Sequence, residues 1–370
     1  MKLEDIARES RATHKGDKSG VPIVGLEHLV PQEIKFTGYD VDTENTFTKA
    51  FKKGQILFGR RRAYLKKAAI ADVDGICSGD ITVIEAIPGK VEPLLLPFII
   101  QNDKFFDYAV SRSAGGLSPR VKWEHLKDYE LDLPPIDEQR ILADKLWAAY
   151  RLKESYKKLL TATQEMVKSQ FIEMFGSVDY NPKSYNIKKV GDFAVCFAGA
   201  TPSTKIPSYW DNGNIPWMSS GEVHKGRVQD TDTKITKQGY DGCSTKMVPI
   251  HSIVVALAGQ GKTRGTVAIN DIELCTNQSL CAIVPNEEVN YEYLFHNLRG
   301  RYRELRSMSG DVDGRGGLNL KHIQSIKVIV PPMSEQMKFV SIARQADKSE
   351  FELRKSIEAI DQVIKSLINN

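Results

Sequence analysis

A chain of 370 residues, 41% hydrophobic and 26% charged, has the make-up of a soluble protein with two or three separate cores. Its 51 Lys and Arg against 47 Asp and Glu leave a net charge of +4, so bulk charge permits nucleic-acid binding but does not demand it. There is no unbroken apolar run of membrane-spanning length, Met1–Asp5 lacks the apolar segment of a secretory leader, and Cys77, Cys196, Cys243, Cys275 and Cys281 contain no Cys-x-x-Cys pair. These features argue against a membrane protein, a disulfide framework and a zinc knuckle, and predict a cytoplasmic protein.

Residues 1–133 read as a mixed α/β domain. Strand-like runs fall at Gln55–Phe58, Ala68–Val73 and Ile81–Ile84. Between the first two, Gly59–Lys67 sets Arg60, Arg61, Arg62, Lys66 and Lys67 around Tyr64, a basic hairpin or loop whose alternative reading is a solvated turn. Pro93–Tyr108 reads as an apolar helical stretch. Ser113–Leu117 reads as a turn flanked by Arg112 and Arg120, and Tyr129–Leu133 as a strand.

Residues 134–176 form the first of two long helices. Leu133-Pro134-Pro135-Ile136-Asp137-Glu138-Gln139 opens it, because proline fences off a helix start, with Asp137 expected as N-cap and Gly176 as the C′ residue. The motif returns as Val330-Pro331-Pro332-Met333-Ser334-Glu335-Gln336, an offset of 197 residues, with Ser334 in the capping place. Apolar or small residues at Leu142, Leu146, Ala149, Tyr156, Leu160, Thr163 and Val167 recur under that offset. The recurrences are Phe339, Ala343, Ala346, Leu353, Ile357, Ile360 and Ile364. Steps of three and four make a heptad seam, and each helix would be a rod on the order of 60 Å. Such a rod suits a spacer and a docking surface.

Residues 177–330 repeat the plan of the first domain, and residues 331–370 the helix. Ile253–Leu257 and Thr266–Ile269 read as strands around a basic Gly-rich loop, Gly259–Gly265, and Tyr291–Leu305 matches Pro93–Tyr108. An offset of 198 pairs Cys77 with Cys275 and sets Gly79 and Asp80 opposite Asn277 and Gln278. An offset of 201 pairs Gly115-Gly116-Leu117 with Gly316-Gly317-Leu318.

Two resemblances to catalytic motifs fail. Ala256–Thr263 fits a relaxed phosphate-loop spacing, but the following Thr266–Ile269 is β-branched and short, so a strand follows where that loop needs a helix. The Pro-Pro pairs lack the Asn and the aromatic neighbour of an amino-methyltransferase motif, and the seven histidines show no metal-ligand spacing. What remains is a binder with two heads. Arg60, Arg61, Arg62, Lys262, Arg264 and Arg315 suit guanine edges or phosphates; Gln260, Asn277 and Gln278 suit adenine; Asp80 suits the cytosine amine. Tyr64, Lys66 and Arg120 complete the candidate DNA contacts. Asn277 and Gln278 have the alternative role of tying down a turn.

The repeated Pro-Pro-x-x-Glu-Gln opening resembles the DNA-specificity subunits of type I restriction–modification systems. So do Thr201-Pro202-Ser203-Thr204, Tyr209-Trp210, Ile215-Pro216-Trp217 and Thr276-Asn277-Gln278. The likeness runs over essentially the whole chain; the first half lacks the Thr-Pro-Ser and Tyr-Trp elements and offers only Val21-Pro22-Ile23-Val24 against Ile215-Pro216-Trp217. The resemblance implies an α/β fold of two target-recognition domains separated by two long antiparallel coiled-coil helices. It implies a non-catalytic chain that reads a split sequence in double-stranded DNA. Two methyltransferase subunits would dock on the helices, at faces including Leu142, Leu146, Tyr156, Leu160, Phe339, Leu353, Ile357 and Ile364. They would bring S-adenosylmethionine, and a motor-nuclease (restriction) subunit can join them; no cofactor, metal or membrane is expected for this chain. Two readings of other classes stay open: an autonomous methyltransferase or nuclease, and a coiled-coil adaptor that does not touch DNA.

Overall fold

The computed structural model describes residues 1–36, 38–259, 261, 263–308 and 317–369. The chain divides into two compact units, Met1–Lys158 with Arg354–Asn370, and Leu159–Leu353. No helix among the described residues is long and apolar enough to cross a membrane.

The first unit holds β1 (Ala7–Glu9), β2 (Ile23–Val24), β3 (Lys49–Phe51), β4 (Ile56–Gly59), β5 (Ala68–Ile70), β6 (Gly75–Cys77) and β7 (Ile81–Ala86). They form two sheets, in the orders β1-β7-β4-β5 and β2-β6-β3. Ile56, Leu57, Phe58, Val83 and Ile84 are all buried, which explains why adjacent positions in β4 and β7 are apolar rather than alternating. Phe58 stacks on Phe106 at 5.5 Å between ring centroids and meets Phe105 edge-on at 5.6 Å. These phenylalanines come from the helical stretch expected over residues 93–108. That stretch is two helices, α1 (Leu96–Ile100) and α2 (Asp103–Ser111), because the Asn102 side chain accepts from Lys104 N–H at 2.9 Å and caps a new start. After α3 (Trp123–Leu126), the strand expected at Tyr129–Leu133 is a single bridge between Glu130 and Lys2, flanked by bonds from Leu3 N–H to Tyr129 O and from Leu131 N–H to Met1 O, both 2.9 Å. The long helix α4 then runs over Ile136–Phe175.

The second unit begins with the end of α4 and Gly176, whose φ of 77° is the left-handed C′ conformation expected. It continues through β8 (Asn186–Lys189), α5 (Val190–Phe193), β9 (Ala194–Ala198), β10 (Ile215–Met218), β11 (Arg227–Val228), β12 (Thr233–Ile235) and α6 (Lys237–Asp241). Then come β13 (Ile253–Ala256), β14 (Val267–Asn270), β15 (Cys275–Thr276), β16 (Leu280–Pro285), α7 (Tyr291–Gly300), α8 (Tyr302–Ser307), α9 (Leu320–Ser325), β17 (Lys327–Val330) and α10 (Met333–Asn369), which from Arg354 onward belongs to the first unit. The main sheet has the order β11-β14-β13-β16-β9; β12-β10-β15 and β17-β8 are separate. β13 and β14 pair antiparallel, so a strand and not a helix follows Gly265, as the β-branched run there implies.

The two units repeat a common set of strand pairings. Ile56 faces Ile70 and Ile84; Ile253 faces Ile269 and Ile283. β2 runs parallel to β6 with Val24 opposite Cys77, and β10 runs parallel to β15 with Met218 opposite Thr276. These pairings set the offset across β6 and β7 at 199, which corrects the 198 drawn from the two cysteines. Ser78, Gly79 and Asp80 therefore correspond to Asn277, Gln278 and Ser279. Ser78 Oγ accepts from Asp80 N–H at 3.2 Å, and Asn277 Oδ1 accepts from Ser279 N–H at 3.1 Å, the same turn closed by different side chains. The 201 offset of the Gly-Gly-Leu pair is also overturned. Leu318 N–H donates to Leu257 O at 2.9 Å, just as Val121 N–H donates to Arg60 O at 3.0 Å, so Leu318 corresponds to Val121. Leu117 is 97% exposed whereas Leu318 is buried.

The hinge motif owes its final Gln to a buried bond network. Gln139 Nε2 donates to Pro134 O at 2.8 Å while its Oε1 accepts from Glu92 N–H at 3.0 Å. Gln336 Nε2 donates to Pro331 O at 2.8 Å and to Glu288 O at 2.9 Å, and its Oε1 accepts from Asn290 N–H at 2.8 Å. Asp137 and Ser334 are not caps: they sit inside the first turn, where Gln139 N–H already donates to Pro135 O and Glu335 N–H to Pro332 O.

Within the first unit, Lys153 pairs with Asp361 at 2.7 Å, and Leu142, Leu146 and Trp147 share a core with Ile364, Leu367 and Ile368. Within the second, Gln164 donates to Glu350 at 3.0 Å, and Phe171 and Phe175 pack on Phe339. In each unit the two helical segments run antiparallel. Residues 153 and 361 exchange for 350 and 164 under the 197 offset. Of the seam residues proposed for subunit docking, Leu142, Leu146, Phe339 and Ile364 pack into these cores. Leu146 and Phe339 are wholly buried, and Leu142, Tyr156, Leu160, Leu353, Ile357 and Ile364 are half-buried. The apolar side chains that the long helices leave exposed are others, among them Ile141, Leu152, Leu159 and Met166 on α4.

Candidate nucleic-acid interface

In the first unit the basic stretch is the loop of the β4–β5 hairpin. Buried Ala63 anchors a short 3-10 turn, Ala63–Leu65, between Arg62 and Lys66. Both flanking residues are left-handed, with φ of 54° and 51°, a strained setting for side chains of this size. That turn leaves Arg62 and Tyr64 exposed. Lys66 is directed elsewhere: its Nζ lies 2.5 Å from Asp103 Oδ1 at the start of α2, and its carbonyl accepts from Gln32 and Gln101. Lys66 therefore ties the loop down.

Asp80 gathers the arginines. Its carboxylate accepts from Arg120 Nε at 2.7 Å and Nη2 at 3.4 Å, and from Arg61 Nη1 at 3.3 Å. Arg61 Nε and Nη2 also reach Ser118 Oγ, at 3.3 and 3.1 Å. The hydrogen bond from Arg120, joined by those from Arg61 and by both positive fields, outweighs partial burial and holds the Asp80 carboxyl below the usual carboxylate range. Both Asp80 oxygens are thus engaged, which displaces the expectation that Asp80 accepts from cytosine. Half-buried Arg60 serves the frame through its backbone, donating to Asp80 O and accepting from Val121.

In the second unit the family-like motifs converge. Gly199 lies so close to Thr276 that a Cβ there would sit 1.8 Å from Thr276 O, which explains the glycine before the Thr-Pro-Ser loop. Thr201 Oγ1 donates to Gln278 Oε1 at 2.6 Å. Trp217 Nε1 donates to Ala200 O at 3.0 Å, Trp210 Nε1 to Ser203 O at 3.1 Å, and the two indole rings meet edge-on at 5.2 Å. His224 Nε2 lies 3.3 Å from Thr263 Oγ1, which joins the glycine-rich hairpin loop to the same region. Gln278 is exposed, while Asn277 closes its turn. Arg264 is 4% exposed and belongs to the interior, not to a contact surface. Gln260, Lys262 and Arg315 lie outside the described residues. Ser118, Thr201, His224 and Thr263 carry no individual signal as contacts in the sequence; the Thr-Pro-Ser motif is the one feature that could have found Thr201.

Two copies of one frame, each ending in a cluster of polar loops, match the family described as the type I restriction modification DNA specificity domain over residues 2–162 and 182–362. The chain belongs to that family. Its relatives include the specificity subunit of the type I restriction enzyme EcoR124I/EcoR124II of Escherichia coli, 26% identical over 163 residues, 43% of this chain and 40% of the relative. The MjaIX specificity subunit of Methanocaldococcus jannaschii is 27% identical over 214 residues, 55% of this chain and 48% of the relative. The chain therefore spans less than half the length of these two. The putative MjaX specificity subunit of the same organism is 22% identical over 396 residues, 99% of this chain and 90% of the relative. Among solved structures, the type I S subunit from M. genitalium superposes with a TM-score of 0.58 at 14% identity, over 100% of this chain and 94% of that one. A chain from a study of type I complex assembly and conformational transition gives 0.56 at 16% identity, over 98% and 97%. Both likenesses are of fold.

Proposed function

We propose that this family member is the non-catalytic DNA-reading subunit of a type I restriction–modification assembly. Each unit presents its loops to one half of a split sequence in double-stranded DNA. α4 and α10 carry two methyltransferase subunits, which bring S-adenosylmethionine, and a restriction subunit joins where the system has one. The observation that carries this reading is chemical difference on a repeated frame. On a frame that shares its backbone bonds, Arg61, Asp80 and Arg120 cluster in the first unit, whereas Ala258, Ser279 and Gly317 take their places in the second and a Thr201–Gln278 pair lies among its loops, as a protein reading two different half-sites requires. Relatives named as specificity subunits support the same reading.

Gel-shift titrations of the chain, with and without its methyltransferase subunits, against duplexes carrying split sites test it. Tight, salt-sensitive binding to a subset of duplexes is expected; binding indifferent to sequence and salt contradicts it. Charge reversal at Arg60, Arg61 and Arg62 together should weaken binding and flatten the salt slope by about 0.9 for each phosphate that is no longer neutralised. An unchanged slope removes that loop from the interface. Because the seam residues are buried or half-buried, docking falls to the exposed apolar side chains of α4. Leu152→Asp with Leu159→Asp should reduce capture of the methyltransferase subunits about tenfold or more while leaving the melting temperature in place. Retained capture in pull-down titrations would move docking elsewhere.

A further inference from the structure

We infer that Asp80 is a positioning residue and Arg120 a base-reading one: Asp80 grips one edge of the Arg120 guanidinium and presents its far end to a guanine in the half-site taken by the first unit. The Asp80 oxygens occupy Arg120 Nε and one side of Nη2. The outer pair of N–H groups, on Nη1 and Nη2, is left pointing away from the carboxylate. Two parallel donors at that spacing suit the O6 and N7 acceptors of guanine in the major groove. Arg120 is half-exposed, and its side chain has no other acceptor among the described residues. Its backbone is held on both sides, bridged to Arg61 and to Ala114, with reciprocal bonds of 2.9 Å to Ala114. Arg61 is spent inside the cluster, on Asp80 and Ser118.

A carboxylate on a surface that meets phosphates is repelled by them, so its presence needs a reason. The fold supplies none. Arg60 N–H donates to Asp80 O at 3.0 Å and Leu257 N–H to Ser279 O at 2.8 Å, so the frame beneath Asp80 is the same in both units. On that frame the positions of Arg61, Asp80 and Arg120 are taken in the second unit by Ala258, Ser279 and Gly317. All three charges are absent together and the frame stands. Three residues present or absent as a set, dispensable to the scaffold and placed in its reading loops, act as one device. Holding the guanidinium in place before binding removes the entropy that a free arginine would lose on meeting its base.

This inference rests on the DNA-reading function proposed above. The test uses the full chain assembled with its methyltransferase subunits, a random library of double-stranded DNA and S-adenosylmethionine, with modified molecules sequenced. Arg120→Ala should lower discrimination at one guanine-containing base pair of one half-site about tenfold and leave the other half-site intact. Asp80→Ala should give a partial loss at that same base pair, Asp80→Glu should restore most of it, and melting temperatures should stay unchanged. A uniform drop in modification with the motif intact means a phosphate clamp and overturns the inference. So does a lowered melting temperature in Asp80→Ala with the motif intact, or a wild-type motif without guanine in either half. A wild-type complex that modifies no split motif fails the proposed function itself, and the inference falls with it.

Discussion

Phe339→Ala is expected to destabilise the second unit by about 4 kcal/mol, the middle of the range for a buried Phe truncated to Ala. Phe339 is wholly buried on α10. Its ring meets Phe171 at 5.2 Å, Phe175 at 5.8 Å, His296 at 5.7 Å and Tyr293 at 6.3 Å. These partners come from α4 and α7, so truncation opens a cavity where three helices meet and the rigid rings cannot collapse into it. The expected signature is local. Urea titration followed by hydrogen exchange should show lowered protection in β13, β14 and β16 and unchanged protection in β4 and β7. Equal loss in both sets of strands would mean that the chain unfolds as one body.

Gln336→Ala is expected to cost about 3 kcal/mol and Gln139→Ala about 2 kcal/mol, at roughly 1 kcal/mol or more for each buried group left without a partner. Gln336 satisfies Asn290 N–H, Pro331 O and Glu288 O, whereas Gln139 satisfies Glu92 N–H and Pro134 O. The order of the two effects is the telling part. Chemical denaturation of each variant should place Gln336→Ala below Gln139→Ala, and the reverse order would mean that the hinge does not depend on these bonds. The effect on DNA reading follows from geometry, since the Gln bonds fasten the start of each long helix to the loop that precedes α1 or α7.

Much of this organisation is legible in the amino acids. The three-and-four spacing of the seam, repeated at one offset, declares two helices before any coordinates, because a helix face tolerates no insertion. The hairpin around Gly59–Lys67 is legible for a similar reason, as two apolar runs bracket it. Register inside the domains is harder. Cys77 and Cys275 share a letter and suggest 198, but cross-strand facing, not identity, decides the pairing, and Ile84 and Ile283 set it at 199. Leu117 and Leu318 mislead in the same way. Ser78 and Asn277 do one job with different chemistry, so no letter pattern links them. Arg264 reads as a surface cation because glycine surrounds it, and burial in this loop depends on what packs over it from elsewhere. Asp80 reads as an acceptor waiting for a base until Arg61 and Arg120, distant in sequence, close on it. The letters of Gln139 and Gln336 are plain in the repeated motif; their purpose needs the carbonyls of Pro134 and Pro331 within reach.

The central claim is that two heads on one chain read two blocks of a split sequence on behalf of a separate methyltransferase. Sequencing of modified bases in DNA treated with the assembled complex and S-adenosylmethionine tests it most directly. The account predicts two short specified blocks separated by an unspecified interval of constant length, and no modification when the chain is incubated alone. A single uninterrupted motif, or methyl transfer by the isolated chain, would contradict it.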